Sequence, residues 1–452
     1  MPQPRADRHG DGMLGYYLQQ AWRSLRRSPV LTALMVLSIA VGIGAAMTTL
    51  TVLRLLSGDP LPGRSQQIFF AQLDPRPSNR ANQKPFDKLD YISAMDLWTR
   101  GRADRQAMVA ESQIKVHAPD SAAPPLMTQL LMTQADFFPM FQVPFAYGSG
   151  WRAREDADRA RVAVISSDLN AKLFQGRNSV GRSLLVRGTA VRIVGVLAPW
   201  RPSPLFYTLA GGSFAHGDTA SFYGRTQDVF MPLSSSLEVN DGHIQPWTCF
   251  SEVASAMDLR NAPCVWLQLW LQLDTPAKVA DYRRLLADYA AQQHAAGRIG
   301  RADTARLLSL PQWLDHNRVV PGDVRLQSWL ALAFLGLCLF NSVGLLLAKF
   351  LRRGGEIGVR RALGASRRAI FAQCLTEASV IGLVGGTGGW LLTLLGLWSV
   401  RQQPTAYADL AHLDLTTFAG TFALAIACSL AAGLFPALRA SRIAPAMQLK
   451  SL

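Results

Sequence analysis

VLTALMVLSIAVGIGAAMTTLTVL, from Val30 to about Leu53, runs through 24 residues without a charge. At about 1.5 Å of rise per residue, such a helix covers the roughly 30 Å hydrocarbon core of a bilayer. Buried helices of soluble proteins rarely stay uncharged for this long. The run is also longer than the roughly 7–15 apolar residues of a signal peptide, so it reads as an uncleaved anchor. Three further runs have the same character: Ser328 to Ala348, about Ala378 to Val400, and Leu415 to Leu438. Four spanning helices are therefore expected.

Composition agrees with a membrane protein, since 49% of the 452 residues are hydrophobic and 17% charged. The net charge of +15 raises the question of nucleic acid, and its location answers it. The short segments between and beyond the spans that must share one side carry 15 Lys/Arg against three acids, Asp7, Asp11 and Glu356. The long loop from Ser57 to Gln327 carries 29 Lys/Arg against 25 Asp/Glu. By the positive-inside rule the basic side is cytoplasmic, both termini lie inside, and the long loop lies outside. The charge is thus a topology signal, and no nucleic-acid partner is expected.

Before the first span, Leu14, Tyr17, Leu18, Ala21, Trp22 and Leu25 form one helical stripe opposed by Gln19, Gln20, Arg23 and Arg26. This basic amphipathic stretch predicts either a helix lying on membrane lipid or a plain cytoplasmic extension of the span.

The loop of about 270 residues is long enough for a folded domain of one or two lobes. It mixes strand and helix signals. RVAVIS from Arg161 is a short apolar strand, and Asp168 to Phe174 a helical turn. SLLVRG and TAVRIVGVLAP are two strands about Gly188. CVWLQLWLQLD is a strand that places Trp266 and Trp270 on one face, read as core packing. Ala277 to His294 is a helix with Val279, Tyr282, Leu285, Leu286 and Tyr289 on one side. Cys338, Cys374 and Cys428 lie in or beside the spans, whereas Cys249 and Cys264 are the only cysteines of the long loop. On that side disulfides persist, and a loop of this length would gain about 3 kcal/mol from a bond; two buried free thiols are the alternative.

Several chemistries are missing from these 452 residues. There is no G-x-x-x-x-G-K-[ST] phosphate loop, G-x-S-x-G or H-E-x-x-H, and no C-x-x-C or histidine pair at metal-ligand spacing. No catalytic, cofactor-binding or metal site is expected in this chain. The glycines at 382, 385, 386 and 389 form two G-x-x-x-G pairs within the third span, a pattern for close helix packing. Glu377 and Arg54 read as boundary residues that reach the interface from the ends of their spans.

After the second span the sequence reads GGEIGVRRALGASRRAIFAQCLTEASVIGLVGG, Gly354 to Gly386. It resembles the signature of the MacB/FtsX-type superfamily of ABC permeases, E-I-G-[IV]-R-[RK]-A-[LV]-G-A, at all ten positions: Glu356, Ile357, Gly358, Val359, Arg360, Arg361, Ala362, Leu363, Gly364 and Ala365. Three other stretches are similar to the family: AWRSLRRSPVLTALMVLSIAVGIGAA, the outer-domain series from ADFFPMFQVPFAYGSGW to DVFMPL, and the tail PALRASRIAPAMQLK.

The resemblance implies a membrane α-helical fold of four transmembrane helices with a large α+β extracytoplasmic domain, the latter made of a porter-like lobe and an inserted, mostly β lobe. It implies the division 1–29 amphipathic helix, 30–56 first span, 57–327 periplasmic domain, 328–350 second span and 351–372 cytoplasmic coupling loop. The rest divides into 373–400 third span, 401–414 outer loop, 415–438 fourth span and 439–452 tail. Within the periplasmic domain it implies porter-like pieces at 65–134 and 240–325 and an insert at 135–239.

It further implies a bacterial inner-membrane permease subunit, not an enzyme. The permease would pair with a second copy or a paralogue and be driven by a separate ABC ATPase subunit that binds the ATP and Mg. A periplasmic adaptor and an outer-membrane channel would complete an efflux path worked by mechanotransmission. Residues 356–365 would be the ATPase-coupling element. Read as residues, Glu356 to Ile370 can form a short helix with Ile357, Arg361, Gly364 and Arg368 along one side and with Arg360 and Arg361 meeting acids of the ATPase, or a basic interfacial loop that only fixes topology. A lipoprotein-releasing permease of the LolC/LolE kind and an FtsX-like regulator of a cell-wall hydrolase share the topology and remain the alternatives.

Overall fold

The structure, a computed structural model, describes residues 28–76, 85–100, 102–119, 123–209, 220–245, 247–250, 259–320, 322–411 and 415–442. The amphipathic stretch from Leu14 to Leu25 lies outside the described residues. The chain divides into two compact units, one of Met1–Leu55 with Pro321–Leu452 and one of Leu56–Val320.

In the first unit four helices are long and apolar enough to cross a membrane: Pro29–Leu56, Gly322–Arg352, Arg367–Arg401 and Leu415–Ser441. Each contains its expected span, and the second begins about two turns and the third about three turns earlier than the apolar run because polar and charged residues continue the helix. The third helix packs closely against the first and the fourth, and its glycines explain how. A Cβ on Gly382 or Gly386 would collide with Ser429 or Ala425 of the fourth helix. One on Gly385 or Gly389 would lie within 3 Å of Ile39 or Ile43 of the first. The two G-x-x-x-G pairs thus serve two neighbours, letting backbones approach where lipid provides no hydrophobic drive. Arg54 donates from Nη1 to the Thr416 hydroxyl at 3.2 Å.

The second unit is a mixed α/β domain. Its strands are β1 (Ile68–Gln72), β2 (Leu89–Asp90), β3 (Arg105–His117), β4 (Leu126–Thr133), β5 (Phe145–Gly148) and β6 (Val162–Ile165). They continue with β7 (Ser183–Val186), β8 (Thr189–Leu197), β9 (Val229–Pro232), β10 (Thr248–Cys249), β11 (Cys264–Gln272) and β12 (Arg306–Ser309). The main path runs β12-β1-β11-β3-β4-β9-β6-β8-β5. β7 and β8 form the hairpin expected about Gly188, whose φ of +84° suits glycine.

Strand β11 is buried along its full length, which its near-continuous apolar sequence requires. Trp266 and Trp270, expected on one face, part company here. A register shift between Val265 and Leu267 disturbs the strict alternation. Trp266 therefore joins the core of Leu267, Leu269 and Leu271, while Trp270 packs edge-on to Phe70 and Trp313. The helix Pro276–Ala295 buries Tyr282, Leu285, Leu286 and Tyr289, with Thr275 capping its start. Cys249 and Cys264 face each other across β10 and β11 and are joined by a disulfide.

Candidate coupling site

The ten signature residues fold as one short helix and the turn that ends it. The helix spans Gly354–Ala362. Glu356 sits in its first turn and Arg360 and Arg361 in its last, the arrangement the helix dipole favours. It stops at Gly364, whose φ is +100°. The Ala365 N–H reaches the Arg360 carbonyl at 3.0 Å and the Gly364 N–H the Arg361 carbonyl at 3.2 Å. These two bonds make a Schellman turn with Gly364 at the left-handed position. Ser366 then caps the third span, its hydroxyl accepting from the Ala369 N–H at 3.2 Å.

The expected helix from Glu356 to Ile370 is therefore two helices with a sharp corner at 363–366. Gly364 and Ser366 carried that signal as a stop residue followed by a cap, against a helical spacing that ran straight through. The expected side of Ile357, Arg361, Gly364 and Arg368 does not form, because the corner separates its members.

The inner face of the short helix holds Gly354 and Gly358, both buried, with Ile357 half-buried against the span core. The outer face presents Gly355, Val359, Ala362 and Leu363, with Leu363 83% exposed and Val359 45%. Two solvent-facing apolar side chains one turn apart form a small hydrophobic knob. Arg361 and Arg360 are both half-buried.

Arg360 belongs to a ring of polar side chains from three consecutive segments. Its Nη2 donates to Glu356 Oε1 at 3.1 Å and its Nη1 to Gln373 Oε1 at 3.1 Å. Glu356 also accepts from Arg353 at 3.2 Å. Arg353 Nη1 bonds Glu377 Oε2 at 3.1 Å, and Glu377 Oε1 meets Lys349 Nζ at 2.6 Å. Lys349 and Glu377 are each 2% exposed. Glu377, expected to reach the interface as a boundary residue, is instead a buried ion-pair member. Its partners sit on the preceding span, and a register between two helices leaves no trace in either one's periodicity. The void beside the ring measures about 10 Å³, room for about one water.

The second unit contains a cleft of about 520 Å³, a volume in the range of ligand pockets. Lys172, Arg201, Arg225, Asp168, Asp228 and Trp200 line it. Asp228 Oδ1 accepts from the Ser166 hydroxyl at 2.8 Å, and Arg225 lies 3.5 Å from Asp168. Nothing in the sequence pointed to these residues, because they come from three separate segments.

A four-helix membrane unit with a short helix between its second and third spans, and a large α/β unit between its first and second, defines a permease-type transporter component. Residues 32–289 match the MacB-like periplasmic core domain and residues 328–445 the FtsX-like permease C-terminal domain. The chain belongs to the MacB/FtsX-type family of ABC permeases.

It is 26% identical over 443 residues to the pyoverdine export ATP-binding/permease protein PvdT of Pseudomonas fluorescens (strain Pf0-1), covering 96% of this chain and 59% of that protein. It is also 26% identical over 314 residues to the macrolide export ATP-binding/permease protein MacB of Rhodopirellula baltica, covering 66% of this chain and 42% of that one. The chain thus spans less than two thirds of the length of these curated relatives. The periplasmic region of MacB from Actinobacillus actinomycetemcomitans is similar at 10% identity and a TM-score of 0.36, over 57% of this chain and 96% of that one.

Proposed function

We propose that this chain is the permease part of a MacB-like export complex of the bacterial inner membrane, driven by an ABC ATPase that lies outside these 452 residues. ATP and Mg belong to that ATPase. Its closure pushes the short helix Gly354–Ala362, the spans carry the push, and the periplasmic unit changes conformation to expel cargo by mechanotransmission. A second permease completes the pair, and an adaptor with an outer-membrane channel receives the cargo.

The observation that carries this reading is the exposed pair Val359 and Leu363 within the family signature. An apolar knob of two residues on an otherwise basic surface suits a hydrophobic socket on a soluble partner, where a few buried contacts dominate affinity. Val359→Glu and Leu363→Glu would each force a carboxylate into that socket. Each variant is expected to insert, to keep the Cys249–Cys264 bond, and to bind the co-expressed ATPase at least about tenfold more weakly. Arg352→Glu, exposed but outside the signature, serves as the control and should bind within about twofold of wild type. Undiminished ATPase binding by both glutamate variants would remove the short helix from the interface.

A further inference from the structure

We propose that the buried Lys349–Glu377 pair, with Arg353, is the joint that carries displacement of the short helix into the second and third spans, and that Glu377 is its positioning residue. It rests on the short helix being the surface where the ATPase docks.

The inner face of the short helix offers two glycines and a half-buried isoleucine, which permit close approach yet resist sliding weakly. The ring supplies the resistance. Lys349 lies in the last turn of the second span and Arg353 four residues on, in the turn that opens the short helix; Glu356 and Arg360 are one turn apart on the short helix, and Gln373 and Glu377 one turn apart on the third span. Three such i, i+4 pairs interlock like teeth.

Shifting the second or third span by a turn would separate the buried Lys349 and Glu377, and an unpaired charge in that environment is strongly disfavoured. Glu356 of the short helix, about one third exposed, ties into that pair through Arg353. The adjoining void is too small for these side chains to find new positions. The second span, the short helix and the third span therefore move together or not at all. Lys349 also reaches Thr32 on the first span, at a long 3.4 Å, so that helix is held less firmly.

A ring that merely stabilised the fold would be dispensable once both charges were removed, because replacing a whole buried pair is often neutral for stability. That separates stability from transmission. The test uses the full complex with its ATPase in lipid nanodiscs, with spin labels at Arg284→Cys and Arg442→Cys. Pulsed electron resonance would measure the label separation with and without ATP.

Wild type should show an ATP-dependent shift. The double variant Lys349→Gln with Glu377→Gln should fold and bind the ATPase as wild type does, yet lose about fivefold of the shift. Lys349→Arg with Glu377→Asp keeps both charges and the summed length, and should restore it. A wild-type shift in the glutamine pair would overturn the joint. So would loss of ATPase binding in that pair, which would make the ring part of the docking surface. If the glutamine pair fails to insert, Arg353→Gln decides, since it cuts the link between Glu356 and Glu377 and leaves the buried Lys349–Glu377 pair whole, and a full shift there is equally fatal. A wild type that binds no ATPase or shows no shift would instead sink the proposed function.

Discussion

Asp156 shows at the scale of one residue how burial sets a titration. Its Oδ2 accepts from the Ala135 N–H at 2.8 Å and its Oδ1 from the Trp151 indole at 2.8 Å. These bonds favour the carboxylate, but burial outweighs them, and Asp136 and Glu155 add like charge. Together they push its pKa up to about 6. A folded-state pKa raised above the ordinary 3.8 means the folded state binds the proton more tightly. The contribution to stability is then full below about 4, declines as pH rises, and is gone above about 6, a difference of roughly 3 kcal/mol at most. Asp156→Asn cannot titrate. Thermal unfolding of wild type and variant in detergent should therefore show the advantage of wild type shrinking from pH 4.5 to pH 7. A constant difference across that range would show that Asp156 does not titrate there. Glu111, also lifted by burial, acts in the same direction in both proteins and drops out of the comparison. None of this was legible in the sequence. Burial depends on what folds over a residue, and here that includes Ala135, 21 positions away.

Elements were more legible than their meetings. The hairpin about Gly188, the helix after Thr275 and the four spans stand where the pattern of apolar residues and turn formers put them. What the pattern lacked was the bulge in β11, the corner at Gly364 and the partners of Glu377, each decided by a neighbour distant in sequence. The third span is the instructive case. Its glycines announced close packing, but only the structure assigns Gly382 and Gly386 to the fourth helix and Gly385 and Gly389 to the first. A methyl at Gly382 would fall 1.6 Å from the Ser429 hydroxyl oxygen, so Gly382→Val must push two backbones apart. That overpacking should cost about 1–3 kcal/mol and lower the detergent melting temperature. Gly336, with nothing within 4 Å of its Cβ position, provides the comparison. Gly336→Val should melt within a few degrees of wild type, and equal losses at both sites would contradict the assigned packing. Gly364 has open space around it too, so Gly364→Leu acts through its left-handed backbone and not through bulk.

At the scale of the whole molecule the decisive question is which side of the membrane each unit occupies, and charge makes a definite prediction. The segments flanking the spans on one side hold 15 Lys/Arg and three acids, whereas residues 57–327 are nearly balanced, with 29 against 25. Moving a strongly basic short segment outward opposes the membrane potential, whereas a large balanced domain translocates largely regardless of its charge. The short helix should therefore face the cytoplasm and the α/β unit the periplasm. Single cysteines can report this with little background. The native thiols at 338, 374 and 428 are buried, and Cys249 is bonded to Cys264. Arg154, with a side chain 89% exposed, and Arg367, exposed at the start of the third span, are suitable positions. In intact spheroplasts an impermeant maleimide should label Arg154→Cys and leave Arg367→Cys unmodified, and both should react after permeabilisation. The second condition guards against an unreactive site posing as a protected one. Labelling of Arg367→Cys from outside would invert the topology. Val359 and Leu363 would then be out of reach of any cytoplasmic ATPase, and the coupling role of residues 356–365 would fall together with the orientation.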